Sequence, residues 1–73
     1  MHFPRIRDMR EDADLTQAQV AELLGIAQTV YSRYERGYQT IPLSLLIQLA
    51  DHYDVSLDYL TGRTQQMKMN RIT

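Results

Sequence analysis

The sequence predicts an all-α domain, a compact set of five short helices with a helix-turn-helix at the second and third. Three observations point there. Apolar residues recur at three- and four-residue intervals nearly throughout, and nowhere alternate as a half-buried strand would. The three glycines, Gly25, Gly37 and Gly62, each stand just past such a segment, where a helix stops most easily. Only Ile26 and Ala27 separate Gly25 from the next helical segment, so the helices on either side must cross steeply.

The first helix spans about Phe3 to Ala13, with Ile6, Met9 and Ala13 on one stripe. Thr16 is an N-cap, and Gln19 three residues on completes a capping box. The second helix, about Gln17 to Leu24, buries Val20, Ala21 and Leu24 and ends at Gly25. The third, about Gln28 to Arg36, ends at Gly37. After the loop Tyr38 to Ile41, Pro42 suits the first position of a fourth helix. Leu43, Leu46, Ile47 and Ala50 form its stripe, widened by Leu45, Leu49 and Tyr53, and this broad face belongs in the core. Ser56 caps a short fifth helix, Leu57 to Leu60, closed by Gly62. The domain is therefore read as residues 1–62. Residues 63–73, with Met67, Met69 and Ile72 among polar neighbours, form a flexible tail.

Composition removes most function classes. A chain of 73 residues holds one domain. It has no cysteine, hence no disulfide frame and no thiolate metal site. There is no span-length apolar run and no leader-like start, which points to a cytoplasmic protein. The net charge of −1 is segregated: residues 1–40 carry five arginines against six acids, residues 41–60 three aspartates, and residues 61–73 Arg63, Lys68 and Arg71. Bulk charge therefore says little about a nucleic-acid partner. His52 beside Asp51 has no nucleophile or second histidine near it in sequence and reads as a surface residue. Asp51, Asp54 and Asp58 lack the spacing of a metal loop and read as a solvated face. No enzyme constellation, cofactor motif or metal site emerges, and His2 falls in a loose terminus.

The informative stretch is LTQAQVAELLGIAQTVYSRYERG, residues 15–37. Ala21 is small enough for a close helix crossing, and Val20, Leu24, Ile26, Tyr31 and Tyr34 supply the packing face. Tyr31 and Tyr34 are thus core rather than base-stacking residues, and Val30 is half-exposed. With those buried, Gln28, Thr29, Ser32, Arg33 and Arg36 point outward. That set is short, polar and hydrogen-bonding, as a major-groove reader requires.

In these residues the chain resembles the lambda-repressor/Cro-like helix-turn-helix domain, the xenobiotic-response-element class. The resemblance rests on LTQ at 15–17, the Ala21/Gly25 pair, YSRYERG at 31–37, IP at 41–42, LADHYDVSLDYLTG at 49–62 and R-x-x-R-E-D at 7–12. It implies a double-stranded DNA partner and a regulator, most simply a repressor, binding a two-fold-symmetric operator as a homodimer. Half-sites would then lie one helical turn apart, roughly 34 Å. Gln17 would hold a phosphate at a helix N-terminus. Gln28 would pair with an adenine edge, Thr29 and Ser32 would make adaptable contacts, and Arg33 would read guanine or hold a phosphate. Tyr38, Gln39 and Thr40 would touch the DNA backbone. Arg10 and Glu35 match a pair that bridges helices one and three.

Three departures stand out. Ala27 replaces the family's usual Ser or Thr cap. Asp14 replaces a frequent Gly at the end of helix one. Helix one is acidic (Asp8, Glu11, Asp12, Asp14), and those carboxylates should face away from phosphate. No effector-binding domain is expected, and helix five, with Val55, Leu57, Tyr59 and Leu60, is the expected dimer face. The alternative reading is a protein-interaction module on the same scaffold, an antitoxin or antirepressor type of partner, which the near-neutral charge and acidic helix one favour.

Overall fold

The computed structural model describes residues 2–66, and the chain forms five helices there with no strand among the described residues: α1 (Pro4–Asp12), α2 (Gln17–Leu24), α3 (Gln28–Arg36), α4 (Leu43–Tyr53) and α5 (Leu57–Leu60). None of these helices is long and apolar enough to cross a membrane. Met67, Lys68, Met69, Arg71 and Ile72 of the expected tail lie outside the described residues.

Each helix starts and stops for a local reason. Thr16 and Gln19 form the capping box of α2, each side chain answering the other's backbone N–H at 3.1 and 2.8 Å. Ser56 accepts from the Tyr59 N–H at 2.9 Å and caps α5. All five helices end in the same way. One residue past α2, α3 and α4 (Gly25, Gly37, Asp54), and two past α1 and α5 (Asp14, Gly62), the backbone takes positive φ, and the next N–H reaches back to a carbonyl five residues earlier. The ends of α1 and α4 do this with aspartate, a residue that tolerates the left-handed conformation. Ala27 makes no side-chain cap, so α3 begins with its first N–H groups unserved by its own N-cap residue.

The core is one cluster: Ile6 and Met9 from α1, Val20 and Ala21 from α2, Tyr31 from α3, Leu46, Leu49 and Ala50 from α4, with Ile41, Val55 and Leu60. α2 packs against α3, α4 against α5, and α1 spans both pairs. Arg5 ties α1 to α5 and to the segment that follows it. Its guanidinium donates to the Tyr59 carbonyl at 2.8 Å, the Thr64 carbonyl at 2.6 Å and Gln65 Oε1 at 3.0 Å, and stacks 4.1 Å over the Tyr59 ring. Ser56 Oγ also donates to the Gln66 carbonyl at 3.4 Å.

Several expectations need correction. α1 is shorter, with Phe3 as its N-cap and Ala13 exposed just after it. Pro42 is the N-cap of α4 and not its first helical residue. On α4 the buried stripe is Leu46, Leu49 and Ala50, while Leu43 and Ile47 are 60% and 45% exposed. Val55 and Leu60 are 5% and 0% exposed, so the predicted dimer face is unavailable at those two positions. His2 is not loose: its Nε2 lies 2.9 Å from the Glu35 carbonyl, and its ring rests against Gly37.

Candidate nucleic-acid interface

The turn Gly25–Ala27 sets α3 across α2, burying Tyr31 and Glu35 and turning the opposite face of α3 outward. Gln28, Thr29 and Arg33 are exposed and Ser32 is half-buried. Gln17, at the first position of α2, joins these four, Arg36 and Tyr38 in lining one shallow depression. Gln39 and Thr40 lie outside it, on the exposed loop that follows. Tyr38 itself is held by its N–H, which donates to the Arg33 carbonyl at 2.9 Å, while its ring is 75% exposed. Arg36 belongs to the outward set derived from sequence, and the structure adds it to the candidate contacts.

Behind this surface sits a buried ionic cluster. Arg10 Nε and Nη2 donate to the two Glu35 carboxylate oxygens, both at 2.9 Å, and Nη1 donates to the Leu15 carbonyl at 2.8 Å. The side chains are 13% and 3% exposed, so this bidentate pair joins α1 to α3 away from solvent. Gln17 Nε2 donates to Glu35 Oε1 at 3.3 Å. Burial pushes the Glu35 carboxyl up, but Arg10, the neighbouring Tyr31 hydroxyl and Gln17 outweigh it and hold the group below its ordinary value. Arg10 is correspondingly raised by its bond to Glu35. Tyr31 is raised by burial and by the adjacent carboxylate, although its hydroxyl lies short of hydrogen-bonding geometry and has no partner; the Tyr53 hydroxyl is likewise buried and unpartnered.

The acidic residues of α1 are not all turned away. Asp8 and Glu11 line a second cleft, of about 710 Å³, together with Arg7, Gln17, Arg36 and Tyr38, so it adjoins the first depression through the last three. Glu11 is partly neutralised there by Arg7 at 2.7 Å. The contact between Gln17 and Glu35 has no sequence signature, since 18 residues separate them and nothing local pairs them.

The sequence and the fold are similar to those of known proteins. A helix-turn-helix family model matches residues 6–60. The chain is 44% identical over 64 residues to the uncharacterized HTH-type transcriptional regulator YobD of Bacillus subtilis, a match covering 88% of this chain and 57% of that protein. It is 37% identical over 59 residues to the cryptic phage CTXphi transcriptional repressor RstR of Vibrio cholerae, covering 81% and 53%. A crystal structure of a transcriptional regulator from Listeria innocua superposes with a TM-score of 0.77 at 27% identity, over 92% of this chain and 62% of that one. The chain thus spans a little over half the length of the curated relatives it matches. With five helices in the predicted order and the family match running through nearly all of them, the chain belongs to the Cro/C1-type helix-turn-helix family.

Proposed function

We propose that this chain reads double-stranded DNA in a sequence-specific way, as the DNA-binding part of a transcriptional regulator that represses by occupying its operator. The observation that carries this reading is the outward face of α3: Gln28, Thr29, Ser32 and Arg33 share one depression with Gln17 at the start of α2. A helix entering the major groove there presents amide, hydroxyl and guanidinium groups to base edges. Gln28 contacts an adenine, Thr29 and Ser32 adjust to their neighbours, and Arg33 takes a guanine or a phosphate. Gln17, Tyr38, Gln39 and Thr40 hold the backbone and set the register.

The similarity to a phage repressor supports repression over activation. Binding is as a homodimer on a two-fold-symmetric operator, and the cytoplasm is where such a regulator meets its DNA. The test is in vitro selection of random duplex DNA by the purified chain, with sequencing of the retained pool. A two-fold-symmetric consensus is the expected result. Retention without a consensus would refute sequence reading, and no retention even at low salt, where phosphate contacts are strongest, would refute DNA binding altogether.

A further inference from the structure

We infer that Glu35 is a positioning residue for DNA contact: its carboxylate dictates which end of the Gln17 amide faces outward, and so presents an N–H of Gln17 to a phosphate. This rests on the DNA-binding reading above and deepens it.

The two ends of a glutamine amide are nearly identical in shape and opposite in hydrogen-bonding sense. A phosphate is attracted by the NH₂ end and repelled by the carbonyl end. A free glutamine on a surface samples both, so half of its orientations oppose the contact. Gln17 is not free in this sense. Glu35 Oε1 lies 3.3 Å from its amide nitrogen, and an ionised carboxylate only accepts. The opposite flip would set two oxygens against each other at that distance. Glu35 therefore selects the orientation with nitrogen inward, takes one of its two hydrogens and leaves the other to point elsewhere.

The selector is itself immobile. Arg10 grips both carboxylate oxygens at 2.9 Å and is anchored in turn on the Leu15 carbonyl, with the Glu35 side chain 3% exposed. Glu35 cannot reach a duplex from that position and acts only through Gln17. Gln17 sits at the first position of α2, where a helix carries unpaired N–H groups and partial positive charge that favour an anion. The remaining amide hydrogen of Gln17 and the helix end thus serve the same phosphate. The pair that joins α1 to α3 also sets the DNA contact.

The test is a double-mutant cycle on binding to the duplex returned by selection, comparing the wild type, Gln17→Ala, Glu35→Gln and the double variant at a temperature where circular dichroism shows full helicity. Gln17→Ala should weaken binding about tenfold, the size of one hydrogen bond to a charged group, and Glu35→Gln about twofold, because the released amide spends about half of its orientations opposing the contact. The double variant should bind no worse than Gln17→Ala alone. Additive losses would overturn the inference, because a purely structural role for Glu35 would not depend on Gln17. Should Glu35→Gln fail to fold, the side-chain amide of Gln17 in the wild type decides the matter by NMR. One of its two protons should be displaced from the free-glutamine position by the Glu35 carboxylate, and duplex should shift the other. Both protons at free-glutamine positions, or no shift on adding duplex, would overturn the inference. If the wild type binds no duplex, the functional reading falls with it; if the wild type binds and the cycle is additive, the inference falls alone.

Discussion

Arg10 clasps Glu35 through two parallel hydrogen bonds of 2.9 Å in a nearly dry site, and the pair is the polar joint between α1 and α3. Its two charges depend on each other. Arg10→Ala leaves a buried carboxylate without its counter-ion, and Glu35→Ala leaves a guanidinium without its own. Each should cost about 3–5 kcal/mol in urea unfolding, whereas Arg10→Met combined with Glu35→Leu should cost far less than the sum. Additive losses in the combined variant would show that the ionic contact itself, and not the uncompensated charge, carries the effect.

The same pair sets how the fold responds to acid. Glu35 is held below its ordinary value of 4.5: burial opposes the charge, and the bonds from Arg10 and Gln17 outweigh burial. A carboxyl with a depressed folded value binds protons more tightly when unfolded. Its stabilising contribution is therefore full above 4.5 and is lost as pH falls through the folded value. Unfolding midpoints measured from neutral pH down past 4.5 should fall in the wild type and fall less steeply in Glu35→Gln. Parallel curves would place the acid sensitivity in other carboxylates.

How much of this was legible in the sequence varies by element. Helix ends were legible where the stopping chemistry is local, as with Thr16 and Gln19, Ser56 and the glycines. Asp54 was not, because aspartate tolerates a left-handed backbone without announcing it. The buried face of α4 was misjudged because LSLLIQLA carries two overlapping apolar stripes, and periodicity alone cannot say which one meets the core. Leu43 and Ile47 lost to Leu46 and Leu49 through the tertiary arrangement. Val55 and Leu60 turned inward because a four-residue helix has no interior of its own, and Arg5 with residues 64–66 covers it from outside. The outward face of α3 could be read because burying Tyr31 leaves one polar side. The bond from Gln17 to Glu35 could not, since it exists only once α2 and α3 are packed.

Tyr53 tests the cost of an unpartnered hydroxyl. Its oxygen is buried with no hydrogen-bond partner, and burial pushes the phenol up to about 12. Tyr53→Phe removes a group that lost its water without compensation, so stability at neutral pH should be unchanged or rise by about 1 kcal/mol. A group with a raised folded value contributes stability that is complete below 10 and lost as pH rises toward 12. The variant should accordingly lose less stability than the wild type over that interval. A drop of more than about 1 kcal/mol at neutral pH would mean that the hydroxyl has a partner after all.

Ala27 is the weak start of α3. Its backbone is extended, with φ −70° and ψ 145°, as an N-cap requires, yet its methyl group accepts no hydrogen bond. In Ala27→Ser the hydroxyl can accept from an N–H in the first turn, without backbone change, for about 1 kcal/mol. For a domain of this size that corresponds to a melting temperature about 4–8 °C higher. An unchanged melting temperature would indicate that the first N–H groups of α3 are already satisfied by solvent.

Gln28 and Arg36 separate base reading from backbone holding within one surface. Both line the same depression, but Gln28 lies at the start of α3 and Arg36 at its end. Gln28→Ala should cost about 1–3 kcal/mol at a single base position and relax the selected consensus there, with the salt dependence unchanged. Arg36→Ala should weaken binding to all duplexes alike and reduce the salt slope by about 1, because one phosphate loses its cation. Selection repeated with each variant, and affinities measured across a salt series, would distinguish them. If Gln28→Ala left the consensus intact, α3 would not be reading bases at its first residue, and the recognition face would have to be redrawn around Ser32 and Arg33.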